Sequence, residues 1–198
     1  MNSLVKIILN IIPRSILTRL SFLLKPLIKI YLRGNKYVDP IDGSSFRKFL
    51  PYGYNNVREN ALSPSTFSLE RHRLLWLYLK NETDFFNKDL KVLHFAPEAA
   101  FLEKFKKLKN ISYDTIDLNS PLANIKADIC DLPLDDESYD FILCNHVLEH
   151  VIDDKKAMQE LYRVLKKDGI GIFQVPINIS NKKTCLLYTS DAADDDHC

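Results

Sequence analysis

The stretch "VLHFAPEAA", residues 92–100, decides how this chain is read. Val92, Leu93 and Phe95 form a short apolar run that breaks at Ala96-Pro97. Beyond the break, Phe101, Leu102, Phe105 and Leu108 recur at the spacing of one helix face. Strand, tight turn and helix in that order make the place where many α/β proteins cradle a nucleotide. The turn nevertheless lacks glycine, and none occurs between Gly53 and Gly169.

The chain continues in the same rhythm. "ISYDTIDL", 111–118, reads as a second strand ending at Asp117, 20 residues after Pro97. An acid at that distance sits at the tip of the next strand and accepts hydrogen bonds from ribose hydroxyls. A carboxylate suits the task because it presents only acceptors. In "ADICDLPLDDESYDFILCNHVLEHV", 127–151, Asp128 and Ile129 lie in a loop, "SYDFILCN" is a buried strand, and "HVLEH" leaves its carboxyl end. Ligands of open α/β sheets bind outside those ends. Glu98, Asp117, Asp128, Asn145 and His146 are therefore expected to converge on one crevice. "DDKKAMQELYRVLKKDG", 153–169, is expected to be a helix. Its acids lie at the start and its lysines at the end, as the dipole favours. Its apolar stripe is Ala157, Met158, Leu161, Val164 and Leu165, with Gly169 as C-cap and "GIGIFQVPI" as the next strand.

This order of elements, with the turn "HFAPE", "DLNSP" and "HVLEH", resembles the class I S-adenosylmethionine-dependent methyltransferases, type 11 subgroup, from about Lys36 to Thr184. The resemblance implies an α/β fold. Its Rossmann-like, mostly parallel sheet has flanking helices and is incomplete at the carboxyl-terminal edge. An amphipathic helix and a small turn-rich module precede it. The implied cofactor is S-adenosylmethionine, held by Phe95, Ala96, Pro97, Glu98, Asp117, Leu118, Asp128, Ile129, Asn145 and His146. Glycine matters most where backbone approaches a pyrophosphate. S-adenosylmethionine carries none, so the glycine-poor turn argues against NAD or FAD rather than against this cofactor. Glu98 has two readings: a negative charge near the methionine ammonium, or simply the start of a helix.

His150 and His146 are the candidate catalytic residues, because methyl transfer needs orientation and sometimes a base. If "HVLEHV" begins a helix, the two share a face. His146 is also expected to line the cofactor pocket, and packing or capping is the competing role for His150. The pattern His-x-x-Glu-His occurs in metallopeptidases too, but here it follows a parallel strand within a methyltransferase layout, and no metal is expected.

The remaining segments are less regular. Residues 1–38 carry seven cations (Lys6, Arg14, Arg19, Lys25, Lys29, Arg33, Lys36) and no acid, although the whole chain is only +1. In a helical projection the cations from Arg14 to Arg33 fall within about 140°, with leucines and isoleucines opposite and a break at Pro26. Residues 1–35 thus form a basic amphipathic segment. It either lies on an anionic membrane surface through residues 1–33 or covers its own domain. No uncharged apolar stretch there approaches the ~20 residues of a spanning helix. Residues 36–80 contain "FRKFLPYG", "RENAL" and "SLERHRLLWLYL", which resemble the region that is a zinc knuckle in many relatives. Asp39, Asp42, Ser63 and Thr66 stand at the ligand positions. Carboxylates and hydroxyls are poor structural zinc ligands, so turn formation by Asp39 and Asp42 is expected instead. Ser68 is the expected N-cap of the helix that follows. Arg71, His72 and Arg73 either face an anionic substrate or form a solvated face.

The methyltransferase domain is expected over 81–184. Residues 185–198, "CLLYTSDAADDDHC", resemble sequencing-adapter read-through and are expected to be disordered and functionless, with the natural chain continuing past Thr184. Net charge gives no argument for nucleic acid. Four cysteines without a CxxC pair point to a reducing, cytoplasmic setting, peripheral to the inner membrane face if residues 1–33 bind lipid. Three functions compete: a methyltransferase acting on an unidentified small-molecule, glycan or lipid-linked acceptor; a non-catalytic protein of the same fold that binds S-adenosylmethionine or S-adenosylhomocysteine; and a membrane-surface adaptor.

Overall fold

A computed structural model of the chain describes residues 24–53 and 57–176. The readings of residues 1–23 and of the tail 185–198 lie outside the described residues. The chain divides into two units, Met1–Tyr78 and Leu79–Cys198.

In the first unit, residues 24–31 are helical. Two antiparallel ribbons follow. β1 (Arg33–Val38) pairs with β2 (Ser45–Phe46), and β3 (Leu50–Tyr52) pairs with β4 (Arg58–Leu62). Leu32, Phe46 and Phe49 form a small core, with Phe46 and Phe49 edge to face at 5.9 Å. A core this small needs polar reinforcement, and the buried carboxylate of Asp39 supplies it. Asp39 Oδ1 accepts the amide of Ile41 (2.9 Å), the turn bond expected of an Asx residue. Its Oδ2 accepts the hydroxyls of Thr66, Ser68 (3.3 Å) and Ser65 (3.4 Å). Asp42 closes its own turn onto Ser44 N (2.9 Å) and accepts Ser65 Oγ (3.2 Å), while Ser63 Oγ meets Ser65 Oγ at 3.1 Å. Asp39, Asp42, Ser63 and Thr66 are thus brought together, and hydrogen bonds join them through Ser65 and Ser68.

The helix α1 (Glu70–Asn81) starts later than expected. Ser68 does not cap it by its side chain. The Ser68 hydroxyl is turned to Asp39, and the imidazole Nδ1 of His72 accepts the Leu69 amide at 3.0 Å instead. Leu69, Leu75 and Leu79 are buried, whereas Leu74 is exposed. Neither reading of the basic trio fits Arg73. Its guanidinium donates to the carbonyls of Ala61 (2.9 Å) and Ser68 (2.6 Å) and lies over Phe49. His72 is buried.

The second unit is built on β5 (Leu90–Phe95), β6 (Ile111–Asp117), β7 (Ile125–Lys126), β8 (Tyr139–Asn145) and β9 (Leu165–Gln174). They form one sheet in the order β7-β6-β5-β8-β9, every pair parallel. Parallel strands buried on both faces read as continuous apolar runs, as β5 and β8 do. Alternation along β5 sends Leu93 and Phe95 to one face. There they join Ile116, Ile142, Cys144 and the stripe Ala157, Leu161 and Val164 of α3 (Asp154–Val164). On the other face His94 lies among aromatic rings. Phe101 and Phe105 of α2 (Ala99–Phe105) stack at 5.2 Å, and Phe85 meets Phe105 and Phe141 at 5.0 and 5.1 Å. The fold is therefore the expected parallel α/β sheet with flanking helices.

α3 corrects one expectation. Asp153 caps its start by accepting Lys156 N (3.0 Å). Its end, however, is Val164, and β9 begins at once with Leu165 in extended backbone. Lys166 is drawn to Asp140 on β8 (2.7 Å). Gly169 is no C-cap. It lies within β9, where a Cβ would stand 2.7 Å from the Leu165 side chain. Arg163 binds the loop before β8: it donates to the carbonyls of Leu132 (2.9 Å) and Leu134 (2.7 Å) and pairs with Asp136 and Glu160. The Glu160 carboxyl is held down to about 2 by that guanidinium, and it also takes the Leu132 amide.

Asp39 is the hub of the first unit, so Asp39→Ala is expected to cost about 2–4 kcal/mol of stability, because three hydroxyls and an amide lose their shared acceptor. Urea denaturation followed by circular dichroism measures it, and a loss under about 1 kcal/mol would contradict the assignment.

Candidate cofactor crevice

The site is built at the carboxyl edge of the sheet. Register aligns Phe95 with Ile116 on one side and with Cys144 on the other. The residues that follow these three, Ala96, Asp117 and Asn145, therefore emerge side by side from adjacent strands.

The turn after β5 explains its unusual composition. Ala96 has φ +45°, the left-handed region that glycine occupies freely and alanine only at a cost of about 1–2 kcal/mol. Its amide donates to Ile116 O at 2.9 Å, which holds the turn against β6. Pro97 is buried behind it. Glu98 then starts α2 through its backbone carbonyl, which accepts Phe101 N and Leu102 N, but its side chain makes no capping bond. Instead Glu98 Oε2 accepts from two neighbours, His94 Nε2 and Asn145 Nδ2, both at 3.1 Å. The side chain is thus not spent on starting the helix.

Behind Glu98 the network continues. Fully buried His94 places Nδ1 2.7 Å from the hydroxyl of Tyr113 on β6. Burial, reinforced by the Glu98 charge, pushes the Tyr113 phenol far above its ordinary range, so it keeps its proton and can donate to Nδ1. That pairing puts the imidazole proton on Nε2, facing the carboxylate. The relay Tyr113–His94–Glu98–Asn145 ties three adjacent strands together. His94 and Tyr113 were not among the residues expected at the site. The available signal was a histidine inside an otherwise apolar buried run, a position that demands a partner.

Asp117, at the tip of β6, accepts Asn119 N (2.8 Å) and Ser120 N (2.6 Å), both on Oδ1, which fixes the carboxylate at the strand end. Leu118 beside it is exposed. Asp128 lies two residues past β7, and its Oδ1 accepts Cys130 N (2.8 Å). The side chains of Phe95 and Ile129 belong to the core, so their backbone is the part that can meet a ligand.

The exit of β8 repeats the device of β5. His146 has φ +54°, a second left-handed residue that is not glycine, and its amide donates to Gln174 O on β9 (2.8 Å). Strain of this kind clusters at functional sites. His146 Nδ1 stands 3.2 Å from Oε1 of buried Glu149. The expected helical face shared by His146 and His150 is absent. Leu148–His150 is a single 3-10 turn, and His146 lies outside it. Burial pushes the Cys144 thiol up to about 12, so it stays protonated in the core. Three buried oxygens at this edge, Asn145 Oδ1, Glu149 Oε2 and Gln174 Oε1, find no partner among the described residues. Buried polar atoms without partners at a sheet's carboxyl edge mark a place built for a ligand. Carboxylates that present acceptors fit a ligand with an ammonium, a sulfonium and ribose hydroxyls, and repel a pyrophosphate. Among the described residues no group of three or more His, Cys, Asp or Glu side chains could hold a metal ion.

Comparison with known proteins agrees. Residues 83–173 match the type 11 methyltransferase-domain family. Over that segment the chain is similar to the methyltransferase domains of this family. More particularly, the chain is similar to the ubiquinone/menaquinone biosynthesis C-methyltransferase UbiE of Campylobacter jejuni, 31% identical over 118 residues, covering 50% of this chain and 46% of that protein. It is also 35% identical over 70 residues to a demethylmenaquinone methyltransferase of Chlamydia caviae, covering 35% of this chain and 30% of that one. A solved methyltransferase from Aquifex aeolicus is 18% identical with a TM-score of 0.40, over 49% of this chain and 58% of that one. The chain spans less than half the length of the curated relatives it matches.

Because Ala96 sits in left-handed backbone, Ala96→Gly is expected to leave stability within about 1 kcal/mol, while Ala96→Val costs about 2 kcal/mol or more. Paired thermal melts would show this, and equal midpoints for the two variants would contradict the assigned turn.

Proposed function

We propose that the protein transfers a methyl group from S-adenosylmethionine to an acceptor that loses a proton as it is methylated. The observation that carries this reading is the Glu98 carboxylate, fixed at the crevice by His94 and Asn145. Bound there, S-adenosylmethionine supplies an electrophilic methyl on a sulfonium. Glu98 offers its charge to the ammonium, and Asp117 accepts the ribose hydroxyls. Leu118, Asp128 and the backbone of Phe95, Ala96, Pro97 and Ile129 border the nucleoside.

Of the two candidate bases, His146 is better placed. The carboxylate of Glu149 orients its ring through Nδ1, which leaves Nε2 to accept a proton. Its side chain keeps 21% of its surface exposed, enough for a substrate to reach. His150 ends the 3-10 turn and is the second choice. The relatives named for quinone ring methylation make a prenylated aromatic ring the first acceptor to assay.

Transfer of labelled methyl from S-adenosylmethionine to such rings tests the proposal. Glu149→Gln is expected to lower kcat roughly tenfold or more with little change in KM for the cofactor, and His146→Ala with Glu149→Gln is expected to be no worse than His146→Ala alone. A folded protein that binds S-adenosylhomocysteine yet transfers nothing to any acceptor would favour the non-catalytic reading.

A further inference from the structure

The helical residues 24–31 are oriented the reverse of an ordinary surface helix. Ile28 packs inward on the small core, but the other apolar side chains face outward: Leu24 is 40% exposed, Leu27 63%, Ile30 73% and Tyr31 72%. Their cations face inward. Lys25 lies over the Phe67 ring at 4.8 Å, and Lys29 stands 4.0 Å from Asp42, while Leu32 is buried with Phe46 and Phe49. An apolar face turned to water on a helix whose polar side is already engaged calls for a covering partner.

We propose that this face lies on an anionic lipid membrane, its leucines and isoleucine in the boundary between headgroups and acyl chains. Charge identifies the partner. Residues 1–38 hold seven cations and no acid. Beside the apolar face Arg33 and Arg47 are exposed, Arg47 lying over the Tyr31 ring at 4.5 Å. Beside the helix, an open hollow of about 510 Å³ is bordered by Arg33, Ser44 and Ser45, a cation and two hydroxyls suited to a phosphate-bearing headgroup, with the Asp42-paired Lys29 also on its wall. Apolar insertion combined with a cationic rim is how an in-plane helix holds an anionic surface. No described helix is long and apolar enough to cross a membrane. The proposal is independent of the chemistry at the crevice.

Flotation of the full chain tests it, using vesicles of phosphatidylcholine with or without phosphatidylglycerol. The comparison is Leu27→Asp combined with Ile30→Asp, two positions exposed enough to leave folding intact; an unchanged thermal midpoint confirms that. The expected result is flotation with the anionic vesicles only, weakened by salt and at least about tenfold lower in the double variant. Absence of flotation, flotation that the variant does not change, or equal flotation with phosphatidylcholine alone would overturn the proposal. So would a solution dimer that the variant splits, since the face would then join two copies of the chain.

Discussion

A buried imidazole needs two partners, and in this protein that requirement organises the crevice. His94 sits on the central strand β5, sealed from water by the rings of α2. Tyr113 on β6 satisfies one nitrogen and Glu98 the other. Glu98 in turn receives the Asn145 amide from β8. One hydrogen-bonded line therefore crosses three strands and delivers a carboxylate to the sheet's carboxyl edge. The turn between β5 and α2 must bend sharply enough to let Glu98 reach back four residues, and Ala96 accepts left-handed backbone to do so. A glycine-rich turn, useful where backbone approaches a pyrophosphate, is replaced by a side-chain carboxylate suited to a cationic ligand.

The first unit follows the same logic on a smaller scale. Two carboxylates and four hydroxyls hold it together. Asp39 and Asp42 first close their own turns and then cross-link to the segment of Ser63, Ser65, Thr66 and Ser68. Such a network persists only when its buried members are satisfied, and each hydroxyl of the set has a named partner.

Much of this was legible in the sequence, and the gaps have physical causes. Alternation and apolar runs gave β5, β6 and β8, and spacing placed Asp117 at a strand tip. The end of α3 departs from its local pattern: Lys166, Lys167 and Gly169 look like a helix terminus, whereas Asp140 on β8 and the close approach at Gly169 pull the chain into β9. Ser68 looked like an N-cap, yet a carboxylate 29 residues earlier competes for its hydroxyl. Local patterns cannot reveal such long-range competition. The ribbons β1 to β4 leave no pattern in the sequence because strands of two to six residues carry too little periodicity. His94 shows in the sequence only as a polar residue inside an apolar run, and the identity of its partners comes from the fold.

The most direct test of the central claim is a calorimetric titration of S-adenosylhomocysteine into the protein and into Glu98→Gln, with Asp117→Ala alongside. The account predicts binding by the parent chain and roughly tenfold or greater weakening when the Glu98 charge is removed with folding intact. Equal affinity for the parent and Glu98→Gln would show that the relay from Tyr113 to Asn145 merely holds strands together and does not present a carboxylate to the cofactor.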